Sequence, residues 1–468
     1  MIYRWKKTLV FVLSTLIFMV VACPRLWNEN PSVAISASLL SEIKTDRRNY
    51  REPPLPRLPR GGGTFIDPVF GTEIMRATDE ADGPAPGLGT YYSHWPTFNA
   101  NNTRLLIRQG ESGNAILKQF DPVQFRMGPG REQLPTSYRN FSLGLESANW
   151  SRRDPDLIYM FGNDFKGGMR LYAYNVVRKD FTLLKDFSSV AGGPDYLHQM
   201  NMSADDDVFS FSHMRTGRNG VPVAYLVWRR STNRILAHSP NTVDFNEVHV
   251  DKSGHWLNIP LNRPRPDGDS MEFLNLDNGT LVKILDGAPD YRPGHGDLGT
   301  DCIVGADNDL NGITWRRMSA PHSPRHVFYF RTGAGRNGGV TDWTQDFHGT
   351  MLADNEDWIT LGTFDDPTIN LPDAGLFEDE ILQISLDGSE RIRRICHTRC
   401  SIQNPNAEYW ATPKPTISRD GRFVAFTSNW ERSGRYDLFI ARIDPAPRLS
   451  MPPAPNPSVQ RPRRIRSN

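Results

Sequence analysis

Four of the eleven histidines in this 468-residue chain share one place in a recurring phrase. Counting five residues back from each polar turn gives His94, Glu146, His198, Asn246, His295, His348 and Pro413, at spacings of 52, 52, 48, 49, 53 and 65 residues. Neutral imidazoles with a carboxylate suit a divalent transition metal. If these positions converge, His94, His198, His295, His348 and Glu146 are the expected metal ligands. Asp297 follows His295 by two, so strand alternation puts both on one face, where Asp297 can orient the imidazole or bind directly. Arg292 precedes His295 by three and is a candidate for a substrate carboxylate. His295, Asp297 and Arg292 are the expected catalytic group. The plainer alternative is a wet, polar surface that histidine merely suits. The other histidines, His213, His238, His249, His255, His322, His326 and His397, fall off the register and read as surface or core.

The phrase that carries these positions is a strand, a polar turn and a second apolar strand. One copy runs His94-Trp95-Pro96-Thr97-Phe98-Asn99-Ala100-Asn101-Asn102 into Leu105-Leu106-Ile107. Another runs from His198 through Asp205-Asp206 into Val208-Phe209-Ser210-Phe211. Each is the local signature of an antiparallel hairpin. A period of about fifty residues implies a propeller. The expected fold is therefore all-β: a seven-bladed β-propeller of four-stranded antiparallel blades. The last blade, built on Thr416-Ile417-Ser418, Phe423 to Ser428 and Tyr436 to Ala441, lacks a fourth strand. The orphan segment Thr64 to Arg76 reads as a hairpin that pairs onto it, so an N-terminal strand closes the ring and removes exposed edges. The first strand of every blade is innermost, so equivalent starts face one axial funnel.

Composition sets limits on partners. Lys plus Arg number 54 and Asp plus Glu 53, a net charge of +1, which argues against a general attraction to nucleic acid. A monomer is expected. Residues 1–22 read as a signal peptide, with basic Arg4, Lys6 and Lys7 before an apolar stretch from Thr8 to Ala22. Val20-Val21-Ala22-Cys23 is similar to a bacterial lipobox, which implies a lipidated Cys23 and an exported, cell-envelope protein touching membrane only through that anchor. An ordinary signal peptide and an uncleaved anchor are the alternatives. Residues 23–63 read as a disordered Pro/Gly-rich tether, 64–444 as the propeller and 445–468 as a disordered Pro/Arg-rich tail. Cys396 and Cys400 are read as a disulfide or two free thiols rather than a zinc site, and Cys302 as a buried small hydrophobe.

The stretch Pro415-Thr416-Ile417-Ser418-Arg419-Asp420-Gly421-Arg422-Phe423-Val424-Ala425-Phe426, ending in Tyr436-Asp437-Leu438-Phe439, resembles the WD-like repeat of TolB-type propellers. That repeat specifies a fold and serves binding scaffolds and enzymes alike. More distantly, histidines recurring at blade starts resemble the oligogalacturonate lyases, seven-bladed propellers in which histidines and a glutamine hold manganese. The resemblance maps onto His198, His295 and His348, with His94 a fourth; Gln199 and Gln345 lie near the register without falling on it. It implies manganese or a similar divalent ion, an acidic glycan and β-elimination. The competing expectation is a non-catalytic binding propeller for a glycan or a protein partner. No Gly-x-Ser-x-Gly elbow is present, so an esterase or peptidase reading lacks its nucleophile.

Overall fold

The computed structural model describes residues 43–449 apart from 51, 111–113, 140, 163–166, 218–219, 241–244, 246, 263–268, 286–289, 291, 308–311, 331–344, 366–375 and 405–407. The expected signal peptide, the lipobox and most of the C-terminal tail lie outside the described residues, as does Asn246. Within them the chain forms seven antiparallel sheets, each a blade, and only two one-turn 3-10 helices.

The turns of the repeated phrase explain the repetition, because each does two jobs. Locally, a short polar side chain caps the turn by accepting backbone N–H groups of the strand that follows. Asn99 Oδ1 accepts from Thr103 and Arg104 at 2.8 and 2.9 Å, and Asp251 Oδ1 from His255 and Trp256 at 3.0 and 2.9 Å. Ser203 and Ser418 take the N–H groups of Val208 and Phe423 in the same way. This is why Asn, Asp and Ser occupy these places. Between blades, the same turns latch neighbours together. Asp206 of blade three accepts the Arg152 N–H of blade two (2.9 Å), Asp251 of blade four accepts the Asp301 N–H of blade five (2.9 Å), and Asp420 of blade seven accepts from Asn102 of blade one (2.9 Å).

The apolar residues lie between blades. Phe209, Phe211 and Trp228 of blade three pack on Tyr159, Phe161 and Leu171 of blade two. Sheets covered on both sides read as apolar runs instead of clean alternation, as in Val208–Arg215, where every residue but the last is buried. The ring closes as expected: Glu73–Arg76 pairs with Asp437–Arg442, aligning Ile74 with Ala441 and Met75 with Ile440, and Thr64–Ile66 adds an outer strand. Arg76 forms a buried ion pair with Asp437 at 2.5 Å, and the Thr78 hydroxyl donates to the same carboxylate at 2.9 Å.

Both flanks are more engaged than their composition indicates. From Lys44 onward the N-terminal segment lies against blades six and seven: Lys44 bridges Arg394, Arg399 donates to the Pro53 carbonyl (2.7 Å), and Trp430 donates to that of Pro56 (3.2 Å). The proline-rich C-terminal segment returns to blade six, where Trp358 donates to the Pro447 carbonyl at 2.8 Å. Prolines deny these segments N–H donors but leave every carbonyl available, and the blades supply the donors. Cys302, Cys396 and Cys400 are buried free thiols, so the two-thiol alternative holds for the Cys396/Cys400 pair.

Candidate metal centre

The innermost strands are Leu88–Gly89, Phe141–Trp150, Asp195–Met202, His249–Val250, Gly296–Gly299, Gln345–Thr350 and Thr416–Ile417. Their lengths differ, and this decides which histidines meet. Blade one's inner strand ends early, and the loop after it reaches across the axial opening. Trp95 donates its indole N–H to the Met200 carbonyl of blade three (2.9 Å), and the Tyr92 ring stands edge-on to His348 of blade six, with centroids 5.1 Å apart. This loop carries His94 to blade four, where its ring meets that of His249 at 4.5 Å and 84°. His94 is therefore a loop residue on the axis rather than the start of a strand.

His94, Glu247 and His249 form one compact group whose ligand atoms all lie within 4.8 Å of one another. His249 Nε2 is 3.2 Å from Glu247 Oε2, and His94 Nε2 is 4.0 Å from the same oxygen. Asn201 sits behind His249, its amide 3.3 Å from Nδ1, and so orients the ring. His94 Nε2 is buried and has no hydrogen-bond partner among the described residues. A buried nitrogen aimed at a carboxylate and a second imidazole fits a cation ligand, and two imidazoles with one carboxylate suit manganese, iron or zinc.

The expected ligand ring is thus only partly assembled. His198 is close enough for the Glu247 charge to act on it, although burial holds its pKa below the usual value. His295 and His348 stack on each other with centroids 5.1 Å apart, and His295 lines the same cavity as the group. The Glu146 side chain lies outside the described residues. His249, read from the sequence as off-register, is a central member, and so is Glu247. The physical reason is a bulge. Blade three's inner strand shifts register between His198 and Asn201, whereas blade four's contains just His249 and Val250 before the Asp251 turn. A bulge adds a residue and changes facing, so a fixed count back from each turn selects different faces in different blades. A signal was available in Glu247-x-His249, where period-two spacing puts both side chains on one face next to a turn.

The group lies on the wall of a cavity of about 290 Å³ that Tyr92, Arg292, His295 and Asp297 also line. Asp297 is held by the backbone on either side of it. Its two oxygens accept the backbone N–H groups of Met351 (2.7 Å) and Leu298 (2.8 Å), and burial pushes its pKa up to about 6 despite them. Below the group, a space of about 30 Å³ continues along the axis between His94, Asn149, Arg152, Asn201, Lys252 and Asp297. Lys252 donates to the Ala353 carbonyl at 2.7 Å and pairs with Glu356 at 3.1 Å, while Arg152 donates to the Leu352 carbonyl at 2.8 Å. These contacts tie blades two, four and six together under the cavity.

Charge in the group is divided unequally. Burial works against the Glu247 carboxylate, but His249 beside it outweighs this and holds the pKa near 2. Burial also works against the His249 imidazolium, but Glu247 raises its pKa above the usual value. His94, with burial dominant, falls to about 3 and is neutral. Between those limits the metal-free pair is carboxylate and imidazolium. A divalent ion binds only neutral imidazole, so binding below the His249 pKa expels one proton, and affinity rises with pH until that pKa is passed. Calorimetric titration with Mn²⁺ at pH 6, in two buffers of different ionisation enthalpy, should show close to one proton released, falling towards none well above the His249 pKa. Buffer-independent heats at pH 6 would exclude His249 as a ligand.

No protein-family model matches the chain, and no curated protein is similar to it in sequence. Solved structures do resemble it. An oligogalacturonate lyase from Vibrio parahaemolyticus superposes with a TM-score of 0.58 at 12% identity, covering 82% of this chain and 96% of that one. An oligogalacturonate lyase in complex with manganese gives 0.54 at 11% identity, covering 83% and 97%. At such identities the likeness is one of fold.

Proposed function

We propose that this protein is an exported propeller that binds a divalent metal, manganese or a similar ion, and acts as a lyase on an acidic glycan. The observation that carries the reading is the His94–Glu247–His249 group on the wall of a cavity that also presents Arg292 and His295. A divalent ion held there would polarise a uronate carboxylate and acidify the adjacent C–H. Arg292 supplies a second, fixed positive charge for that carboxylate. His295 is exposed to the cavity, and its imidazole, when uncharged, can accept the proton from carbon. As the C–O bond on the neighbouring carbon breaks, a double bond forms between the two carbons. Asp297, whose burial raises its pKa to about 6, can in its protonated form return a proton to the departing oxygen. The manganese complex of a propeller with the same fold adds support for the ion.

Export and lipid anchoring at Cys23 belong to the same proposal and rest on residues 1–23 alone. No helix among the described residues is long and apolar enough to cross a membrane. The test of the reaction is direct. Metal-loaded protein incubated with oligogalacturonides should generate the ultraviolet absorbance of an unsaturated uronide, abolished by EDTA and restored by Mn²⁺. Tight binding of the same oligomers without that absorbance would leave a binding propeller in place of a lyase.

A further inference from the structure

Blade three carries a second pair of imidazoles, away from the axis. His213 on Val208–Arg215 and His238 on Arg234–Pro240 flank the strand Ala224–Arg229. His213 aligns with Ala224 and His238 with Leu226, so both side chains leave the sheet on one face. The small Ala224 side chain lies between them, and the two rings meet across it. His213 Nδ1 is 3.2 Å from His238 Nε2, with the ring centroids 5.4 Å apart and the planes 23° from parallel.

Asp195 fixes how the first ring is protonated. Its Oδ1 accepts from Arg215 Nε at 2.6 Å, and its Oδ2 accepts from Arg215 Nη2 at 3.0 Å and the Gly192 N–H at 2.7 Å. The Arg215 guanidinium holds this carboxyl well below the usual carboxylate range, so Asp195 is ionised and can only accept. His213 Nε2, 2.9 Å from Oδ2, therefore carries the proton of its ring. Burial lowers the His213 pKa, which leaves the imidazole neutral near pH 7 with its Nδ1 lone pair turned towards His238. A carboxylate behind one nitrogen, with the other nitrogen presented outward, is the way metal-binding histidines are held. His238 is exposed, so its ring can turn and carry its proton on Nδ1, which puts an Nε2 lone pair beside that of His213. Two nitrogens 3.2 Å apart subtend about 100° at an ion about 2.0–2.1 Å from each, close to the tetrahedral angle.

We propose that His213 and His238, with Asp195 orienting the first, form a second metal site that takes zinc or another imidazole-seeking divalent ion, its remaining positions open to solvent. The site stands apart from the axial group and does not rest on the proposed function. Its chemistry also differs. It has no coordinating carboxylate, and manganese is the weakest of the first-row ions at such ligands, so Zn²⁺ is the probe.

Zinc titration of the full chain, stripped with EDTA and dialysed free of it, tests the proposal. His238→Ala, a change at an exposed position, should take up one Zn²⁺ per chain fewer than wild type, and His238→Cys, which restores a zinc ligand, should recover it. In a Glu247→Gln background, adding His238→Ala should weaken zinc binding at least tenfold. At pH 7.5 the zinc bound by Glu247→Gln should give the same heat in buffers of different ionisation enthalpy, because both imidazoles are already neutral and no proton leaves. Equal zinc uptake by wild type and His238→Ala overturns the proposal and leaves Asp195, His213 and His238 as a hydrogen-bonded chain that serves the blade alone. His238-dependent zinc in a protein whose axial group takes no Mn²⁺ keeps this site and rejects the axial one.

Discussion

Glu247→Gln should strip the protein of bound metal without unfolding it. Glutamine keeps the shape of the side chain and removes the charge that His94 Nε2 and His249 Nε2 both face, at 4.0 and 3.2 Å. Loss of an orienting partner alone lowers metal affinity by roughly 10–100-fold, so loss of a ligand should exceed the upper end of that range. The substitution also removes the attraction that raises the His249 pKa, so the residual affinity should lose its steep pH dependence near neutrality. His249→Ala should match it in metal content. Elemental analysis after dialysis against Mn²⁺, with thermal melting as the folding control, checks both. Full metal occupancy in Glu247→Gln would reject this group and return attention to His198, His295 and His348.

Deleting residues 64–78 should abolish folding altogether. The segment supplies the fourth strand of blade seven and buries Ile74 and Met75 at 1% and 0% exposure. It also supplies Arg76 and Thr78, two of the partners of Asp437, which is itself buried. Removing a partner from a buried ion pair costs about 3–5 kcal/mol, and each large core side chain lost costs about 2–5 kcal/mol. These losses together approach the whole stability of an ordinary domain, about 5–15 kcal/mol. Deletion further exposes the edge of Asp437–Arg442 to pairing with other chains, so aggregation is expected rather than a soluble, loosened wheel. Soluble expression and a cooperative melt of the deletion variant would contradict closure by this hairpin. Ile74→Ala in the intact chain, losing about 2–5 kcal/mol, gives a milder version that remains measurable.

The blades were legible because their causes are local. Asn99, Ser203, Asp251 and Ser418 cap their own turns through bonds spanning at most five residues, and the apolar runs after them form the next strands. Closure was legible for a related reason: a blade missing its outer strand and an unattached hairpin satisfy each other's backbone groups. The flanks were harder to read, because proline-rich carbonyls find donors only on a surface that exists after folding. Which side chains gather into the candidate group was not legible at the step from period to geometry. The count of histidines per blade was informative, and an imidazole site on the axis did form, but the register that chose its members did not survive a bulge after His198 and a short inner strand at His249. Seven strand–turn–strand units arranged as a closed wheel follow from the order of residues alone, since each unit is stabilised by neighbours in the chain. Which imidazoles share a carboxylate was decided by the folded protein, because a loop from blade one carries His94 to blade four, and no local pattern encodes a contact between residues so far apart.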